Sequence, residues 1–218
     1  MGPVCKIVVG VTSPLLANSF LHWFDKAFHG PDGPAQSAKA QLIRYADDFV
    51  VMAKRINKPV THWIEYVIET RLGLEINREK TSVVRLSKAG SSLDFLGYTF
   101  RYDRDLYGHS RRYLNRTPSK KSLQKAREKI RALTSHQRGC WPLGMVVSDL
   151  NQFLRGWRAY FCIGYPRKAY RDLDRYAMER MIKFLTCRSQ RPFKLPEDKS
   201  WHQYLYGHLG VIQLCRKN

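Results

Sequence analysis

Two strand-like stretches with adjacent aspartates between them constrain the fold of this chain most. The stretches are QLIRYA and FVVMAK, and Asp47 and Asp48 lie where they meet. Residues with high β propensity flank the two acids, so the sequence predicts a β-hairpin with two carboxylates at its tip. Two interpretations stay open at this point. Aspartates commonly form solvated turns, but two carboxylates fixed on a hairpin can also bind Mg²⁺ through hard oxygen ligands.

Helices are predicted before and after this hairpin. The first is TSPLLANSFLHWFDKAFHG, whose apolar residues recur near helical spacing, namely Leu16, Phe20, Trp23, Ala27 and Phe28. The second is KPVTHWIEYVIETRLG, which is expected to stop at Gly73. Short strands are expected at LEI, TSVVRL and LDFLGYTFRY. Residues 1–110 therefore predict an α+β domain with a mostly antiparallel sheet.

Helices are predicted for the second part of the chain. SKKSLQKAREKIRALTS, PLGMVVSDLNQFLRGWRAYF and PRKAYRDLDRYAMERMIKFLTCR each carry apolar residues at helical spacing. A further short helix is expected around Trp201 to Leu209. Residues 111–218 are therefore predicted to form an all-α, basic three-helix domain.

Positive charge is concentrated in this second part. The chain carries a formal net charge of +20; residues 1–110 hold 14 Lys and Arg against 11 Asp and Glu, and residues 111–218 hold 24 against 7. Such an imbalance predicts a polyanionic partner, with nucleic acid favoured over a membrane surface. No apolar stretch is long enough to span a bilayer. Five scattered cysteines without a C-x-x-C pair indicate a reduced, cytoplasmic chain without a zinc site.

The candidate nucleic-acid-binding residues are cations interleaved with aromatic side chains. A basic helix face can also be simply solvated, but the lopsided excess favours binding. Arginine pairs with phosphate bidentately, and aromatic rings can stack on unpaired bases. Trp157 and Phe161 are expected in the core. The candidate cations are Arg111, Arg112, Arg116, Lys120, Lys121, Arg155, Arg158, Arg167, Lys168 and Arg171.

These motifs, taken in order, resemble the group II intron reverse transcriptase/maturases. The first part, with SPLLANSFLHWFDKAF, YADDFVVMAK, GLEINREKT and LDFLGYTF, is similar to part of the polymerase palm of that family. The second part, with YLNRTPSKKSLQK, the LRGWRAYFCIGYPRKAYRDLDRY region and YLYGHLGV, is similar to the thumb and maturase-specific domain. The resemblance covers nearly all of the chain from Ser13 onward.

The resemblance implies functions for particular residues. Asp47 would be a ligand of catalytic Mg²⁺ ions and Asp48 would support the same centre. Lys80 falls near the incoming nucleotide, although an ordinary surface lysine is an equal alternative. The FLGY segment would meet the thumb and primer, and the implied partners are group II intron RNA and an RNA template–DNA primer duplex.

The sequence also departs from the family pattern. The family places another metal-binding aspartate on an upstream strand, but Asp25 and Asp32 are the two acids that precede the YADD box and neither matches that position. We therefore expect an N-terminally truncated enzyme that retains RNA binding but does not polymerise DNA alone. Two alternatives stay open: an active half completed by a separate polymerase fragment, and a basic RNA-binding remnant without intron function.

Overall fold

The protein is described by a computed structural model that covers residues 13–79, 81–104, 112–189, 191 and 193–215, with side chains from residue 18 onward. The chain divides into two compact units, Met1–Val83 and Val84–Asn218. The boundary predicted between residues 110 and 111 falls inside the second unit, where strands on its two sides pair with each other. Helices and small antiparallel sheets make up the fold, which confirms the α+β class.

The first unit consists of helices around one two-stranded hairpin. Its elements are α1 (Ser13–His29), α2 (Pro34–Ser37), β1 (Gln41–Tyr45), β2 (Asp48–Met52) and α3 (Lys58–Glu65), which continues as the π-helical turn Tyr66–Arg71. The predicted hairpin and both predicted helices are confirmed. Gly73 follows at φ +63°, a left-handed conformation that favours glycine and ends the helix. The strands predicted at residues 74–76 and 81–86 are wrong, because in the described part of the chain neither segment pairs with another strand.

The core of the first unit forms between α1, the hairpin and α3. Phe24 and Phe28 are fully buried; Phe24 lies 5.3 Å from Phe49 of β2, between ring centroids, and Phe28 lies 6.0 Å from Trp63 of α3. The apolar stripe predicted for α1 is therefore partly wrong. Trp23 is 65% exposed and Phe20 is 45% exposed, because the buried face is centred on the i, i+4 pair of phenylalanines.

The second unit combines a three-stranded sheet with a helical bundle. Its elements are β3 (Ser92–Phe95), β4 (Tyr98–Arg104), β5 (Arg112–Pro118), α4 (Lys120–Leu133), the 3₁₀ turn His136–Arg138, α5 (Leu143–Tyr160), α6 (Arg167–Thr186) and the π-helical turn Gln203–His208. The strand order is β3-β4-β5, with antiparallel pairing throughout. The three predicted long helices and the short C-terminal one are confirmed. The sequence did not predict β5, so the part assigned to the all-α domain also contains a strand.

The bundle core lies between α4, α5 and α6. Leu150, Leu154, Leu173 and Met181 are fully buried there, and burial of each such side chain contributes about 1.5–3 kcal/mol. Trp157 and Phe161 belong to the same cluster, as the sequence predicted. At the start of α4, the Ser119 hydroxyl accepts a hydrogen bond from the Ser122 amide and caps the helix.

The C-terminal segment is held against the bundle by two polar side chains. Asn151 of α5 donates to the Gly210 carbonyl at 2.8 Å and accepts from the Ile212 amide at 2.9 Å. Asp174 of α6 accepts from the amides of Leu214 and Cys215 at 2.8 and 3.1 Å. Since buried polar groups need such partners, these contacts fix where the segment after the π-helical turn lies.

Candidate functional site

The two predicted metal-binding aspartates lie at the tip of the β1–β2 hairpin. Ala46 and Asp47 form the two-residue turn, and Asp48 begins β2 opposite Tyr45. Ala46 has φ +53°, a conformation that an L-residue adopts only at an energetic cost. Both aspartates are exposed. The turn therefore presents two carboxylates to solvent beside a strained backbone position.

A network centred on Arg44 holds this turn from the inner side of the hairpin. Its Nη1 donates to the Ala46 carbonyl at 2.8 Å and to Asn18 Oδ1 at 2.9 Å. Its Nε and Nη2 donate to both carboxylate oxygens of Asp25, at distances from 2.6 to 3.2 Å. This hydrogen bonding to Asp25 raises the pKa of Arg44. Arg44 thus links the strained turn to α1.

The contacts of Asp25 in this network bear on whether the described residues fit a two-metal centre. Both Asp25 oxygens are engaged by Arg44, so Asp25 does not supply a free ligand. Among the residues that the structure describes, no group of three or more His, Cys, Asp and Glu side chains is placed to hold a metal ion. Two-metal phosphoryl transfer requires a clamp of carboxylates around both ions. The described residues do not provide that clamp.

The FLGY segment forms the turn between β3 and β4 in the second unit. Leu96 and Gly97 both have positive φ, at 48° and 79°, as a tight two-residue turn between antiparallel strands requires. The Gly97 carbonyl accepts from the Ser119 amide at 2.8 Å and from the Ser122 hydroxyl at 2.9 Å. The turn therefore rests on the start of α4.

Tyr98, the last residue of FLGY, connects the same turn to the end of α5. Its hydroxyl donates to the Tyr160 carbonyl, and the Tyr160 hydroxyl donates to the Leu96 carbonyl at 2.9 Å. Burial is the main cause of the raised pKa of Tyr98. These reciprocal bonds make the FLGY turn part of the helical unit, and they place it beside the cationic end of α5.

The predicted nucleic-acid-binding cations lie on the surface of this second unit. Arg158 is half-buried and the other eight described ones are exposed; in the part of the chain that the structure covers, none of these nine forms an ion pair. Arg111 and Lys80 lie outside the described residues. The nine are Arg112, Arg116, Lys120, Lys121, Arg155, Arg158, Arg167, Lys168 and Arg171.

Strand β5 brings Arg116 next to the loop that joins α5 to α6. The Arg116 carbonyl accepts from the Tyr165 amide at 3.1 Å, and the Tyr113 ring lies 5.4 Å from the Tyr165 ring. Gly164 permits this approach, because its φ is +90° and a Cβ there would overlap the Arg116 backbone. Arg116 therefore lies close to the start of α6, whereas the Arg112 guanidinium donates from Nη1 to the Ser87 carbonyl at 2.8 Å.

Of the aromatic side chains interleaved with these cations, Tyr160 and Tyr165 are available for stacking and Tyr170 is not. Tyr165 is 62% exposed and Tyr160 is 55% exposed. Tyr170 is buried and donates to the Phe161 carbonyl at 2.9 Å, and its pKa is raised mainly by this burial. Tyr170 is thus a core residue, and stacking on bases falls to the exposed tyrosines.

Arg44 and a cluster of cations near the end of α6 were not predicted from the sequence. The signal for Arg44 was its position, since Leu42 and Arg44 alternate with exposed residues and so face inward. The signal for the cluster was its charge, since residues 180–196 contain five Lys and Arg residues and no Asp or Glu.

Paired carboxylates at a hairpin tip and a cationic helical unit are typical of proteins that act on nucleic acid. Residues 10–100 match the family of reverse transcriptases (RNA-dependent DNA polymerases), and residues 123–204 match the group II intron maturase-specific domain. The two matches, in this order, indicate a group II intron reverse transcriptase/maturase. No curated protein matches the chain.

Reverse transcriptases in general use divalent metal ions and bind RNA. In the described part of this chain, no helix is both long enough and apolar enough to cross a membrane.

Proposed function

We propose that the second unit of this reverse transcriptase/maturase binds RNA through its exposed cationic surface. The observation that carries the proposal is the unbalanced charge of that unit, in which residues 84–218 hold 28 Lys and Arg against 10 Asp and Glu. The nine described candidate cations form no ion pair with described residues. Their charges are therefore free to neutralise phosphates and release counterions.

The proposed partners are group II intron RNA and an RNA template–DNA primer duplex in the cytoplasm. The exposed arginines of β5 and α6 suit phosphate contacts, and exposed Tyr160 and Tyr165 suit stacking on unpaired bases. Contacts of this kind position RNA without reading much sequence. Such a surface would support intron splicing, and it corresponds to the thumb that accompanies a palm in the family.

The binding proposal is tested by titrating RNA at several salt concentrations. The double variant R112Q/R116Q is compared with K129Q/R131Q, which removes two exposed charges of α4 that lie outside the proposed interface. We expect R112Q/R116Q to weaken binding and to lower the salt slope by about one for each phosphate that the protein no longer neutralises. Wild-type protein that binds no RNA at low salt would refute the proposal.

We propose further that this chain alone does not polymerise DNA at a useful rate. The support is the engagement of Asp25 by Arg44 and the lack of a third ligand beside Asp47 and Asp48 among the described residues. Primer extension on an RNA template, with Mg²⁺ and deoxynucleotides, tests this. We expect no extension above background; extension that disappears in Asp47→Ala would overturn the proposal.

A second candidate function is that of a polymerase half completed in trans. The hairpin beside Asp47 favours it, because its outward face is apolar and Ile43, Tyr45 and Met52 are exposed there. A strand-bearing polymerase fragment would cover that face and supply the missing carboxylate. Co-expression with a fragment encoded next to this gene should then restore primer extension. If no such fragment restores activity, RNA binding alone remains.

A further inference from the structure

A pocket of about 520 Å³ lies where α5 begins and α6 has ended. Three cations line it, Arg188, Arg191 and Lys194. No Asp or Glu is among its described lining residues, and in the described part of the chain these three cations form no ion pair. A volume of this size is in the range of small-ligand sites, and its charge suits an anion.

The first of these cations is fixed in place. Arg188 donates from Nε to the Gly139 carbonyl at 2.9 Å and from Nη2 to the Trp141 carbonyl at 2.6 Å. These two bonds hold the guanidinium against the loop before α5, so little side-chain entropy is left to lose on binding. Carbonyl partners do not neutralise the charge, which stays available to a phosphate.

The start of α5 also favours an anion in the pocket. Leu143, the first residue of this 18-residue helix, lines the pocket. The helix begins without a side-chain cap and has no acidic residue in its first turn. Its positive end thus adds to the field of the three cations.

The rest of the described lining is largely apolar. Leu143, Leu185 and Phe193 form this part of the wall, and the Phe193 ring is supported by Trp201 and Tyr204 at 5.9 and 5.3 Å between centroids. A pocket lined by both cations and aliphatic and aromatic side chains matches a nucleotide, which has a charged phosphate and a flat base.

We infer that this pocket holds one unpaired nucleotide of a bound RNA strand. Its phosphate would lie against Arg188, Arg191 and Lys194, and its base against Phe193 and the two leucines. The inference rests on the proposed RNA binding and adds a site that is separate from the cations of β5 and the start of α6. A single-stranded segment fills the pocket, and a continuous duplex does not.

The test compares a single-stranded 12-nucleotide oligouridylate with a blunt RNA duplex of the same length, using full-length protein. The variant is R191Q/K194Q, which spares the structural bonds of Arg188, and the control is K129Q/R131Q. We expect R191Q/K194Q to weaken single-strand binding about tenfold more than the control does. Both variants should change duplex binding equally. Equal weakening of single-strand binding by the two variants would overturn the pocket and leave RNA binding intact.

Two additional measurements locate the site and identify the source of the phosphate. Photocrosslinking with 4-thiouridine oligonucleotides should label a peptide that contains Phe193, and labels found elsewhere would contradict the inference. Competition with uridine monophosphate and with inorganic phosphate distinguishes a nucleotide within an RNA strand from a free ligand. If the pocket holds a nucleotide within a strand, both small molecules should compete weakly. Full competition by either small molecule would show that the pocket binds a free ligand and not a nucleotide of an RNA strand. Failure of the wild-type protein to bind any RNA would refute the proposed function and this site together.

Discussion

Arg44 shows how a single side chain determines the geometry of the hairpin tip. It holds the Ala46 carbonyl and both oxygens of Asp25 at once. Lysine cannot reproduce this planar, multidentate arrangement. Because the Arg44 side chain is 13% exposed and that of Asp25 is 27% exposed, we expect Arg44→Lys to destabilise the hairpin by about 1–2 kcal/mol.

Hydrogen–deuterium exchange of residues 41–52 measures the effect of Arg44→Lys. Arg78→Lys is the matched control, since Arg78 forms an exposed pair with Glu69, and it should leave exchange unchanged. Faster exchange in both variants, or in neither, would mean that the network does not hold the turn.

Glycines at two positions of the second unit should respond to alanine in opposite directions. Gly164 has φ +90°, and a Cβ there overlaps the Arg116 backbone, whereas a Cβ at Gly156 in α5 meets nothing within 4 Å. We expect Gly164→Ala to cost about 2 kcal/mol or more and Gly156→Ala to stabilise the helix by about 0.5–1 kcal/mol. Urea unfolding followed by far-UV circular dichroism reports both, and a neutral Gly164→Ala would show that β5 does not need this approach.

At the scale of elements, the sequence predicted helices better than strands. The helical period of Val146, Leu150, Leu154 and Trp157 is local, and all four are buried. A strand instead requires a partner that a local pattern does not reveal. TSVVRL has high β propensity but does not pair with any described strand, whereas RRYLNRTP is rich in cations and forms β5 from residue 112 because β4 lies beside it.

In the candidate site, too, features set by local sequence were predictable and those set by tertiary contacts were not. Asp47 and Asp48 were predictable because they are adjacent and lie between two strand-like runs. The engagement of Asp25 by Arg44 was not, since it depends on how α1 crosses the hairpin. The pocket beside Arg188 likewise combines the start of one helix with a segment beyond the end of another.

The attachment of the C-terminal segment to α6 should depend on pH. Burial raises the pKa of Asp174, against the lowering effect of the Leu214 and Cys215 amides from which it accepts hydrogen bonds. The folded protein therefore holds this proton more tightly than the unfolded chain does. The contribution of Asp174 to stability is then fully present below the unfolded pKa and is lost as pH rises through the raised folded value.

Asp174→Asn removes this titration and keeps an acceptor oxygen. We expect the unfolding free energy of wild type, relative to that of the variant, to fall as pH rises from about 3 to 7. Urea unfolding of both proteins across this range measures the difference. A difference that stays constant, or that grows with pH, would contradict the assignment.

At the scale of the whole molecule, the second unit needs residues from both sides of position 111 to fold. The second unit has its own core of three helices, and its sheet is anchored to it by the Gly97 carbonyl and by Tyr98. These anchors come from residues before position 111. The helices therefore depend on β3 and β4, which the RNA-dependent DNA polymerase match includes up to residue 100.

This dependence predicts where the chain can be divided. A fragment of residues 84–218 should fold alone, with cooperative thermal unfolding and RNA binding close to that of the full chain. A fragment of residues 111–218 lacks the partner strand of β5, the carbonyl that accepts from Ser122 and the aromatic ring of Tyr98 that packs on Phe161. Because unpaired strands and newly exposed apolar surface promote association, we expect it to aggregate or to unfold at a lower temperature. Circular dichroism and size-exclusion chromatography compare the two. Equal stability of both fragments would show that the sheet is dispensable and would favour the domain boundary after residue 110.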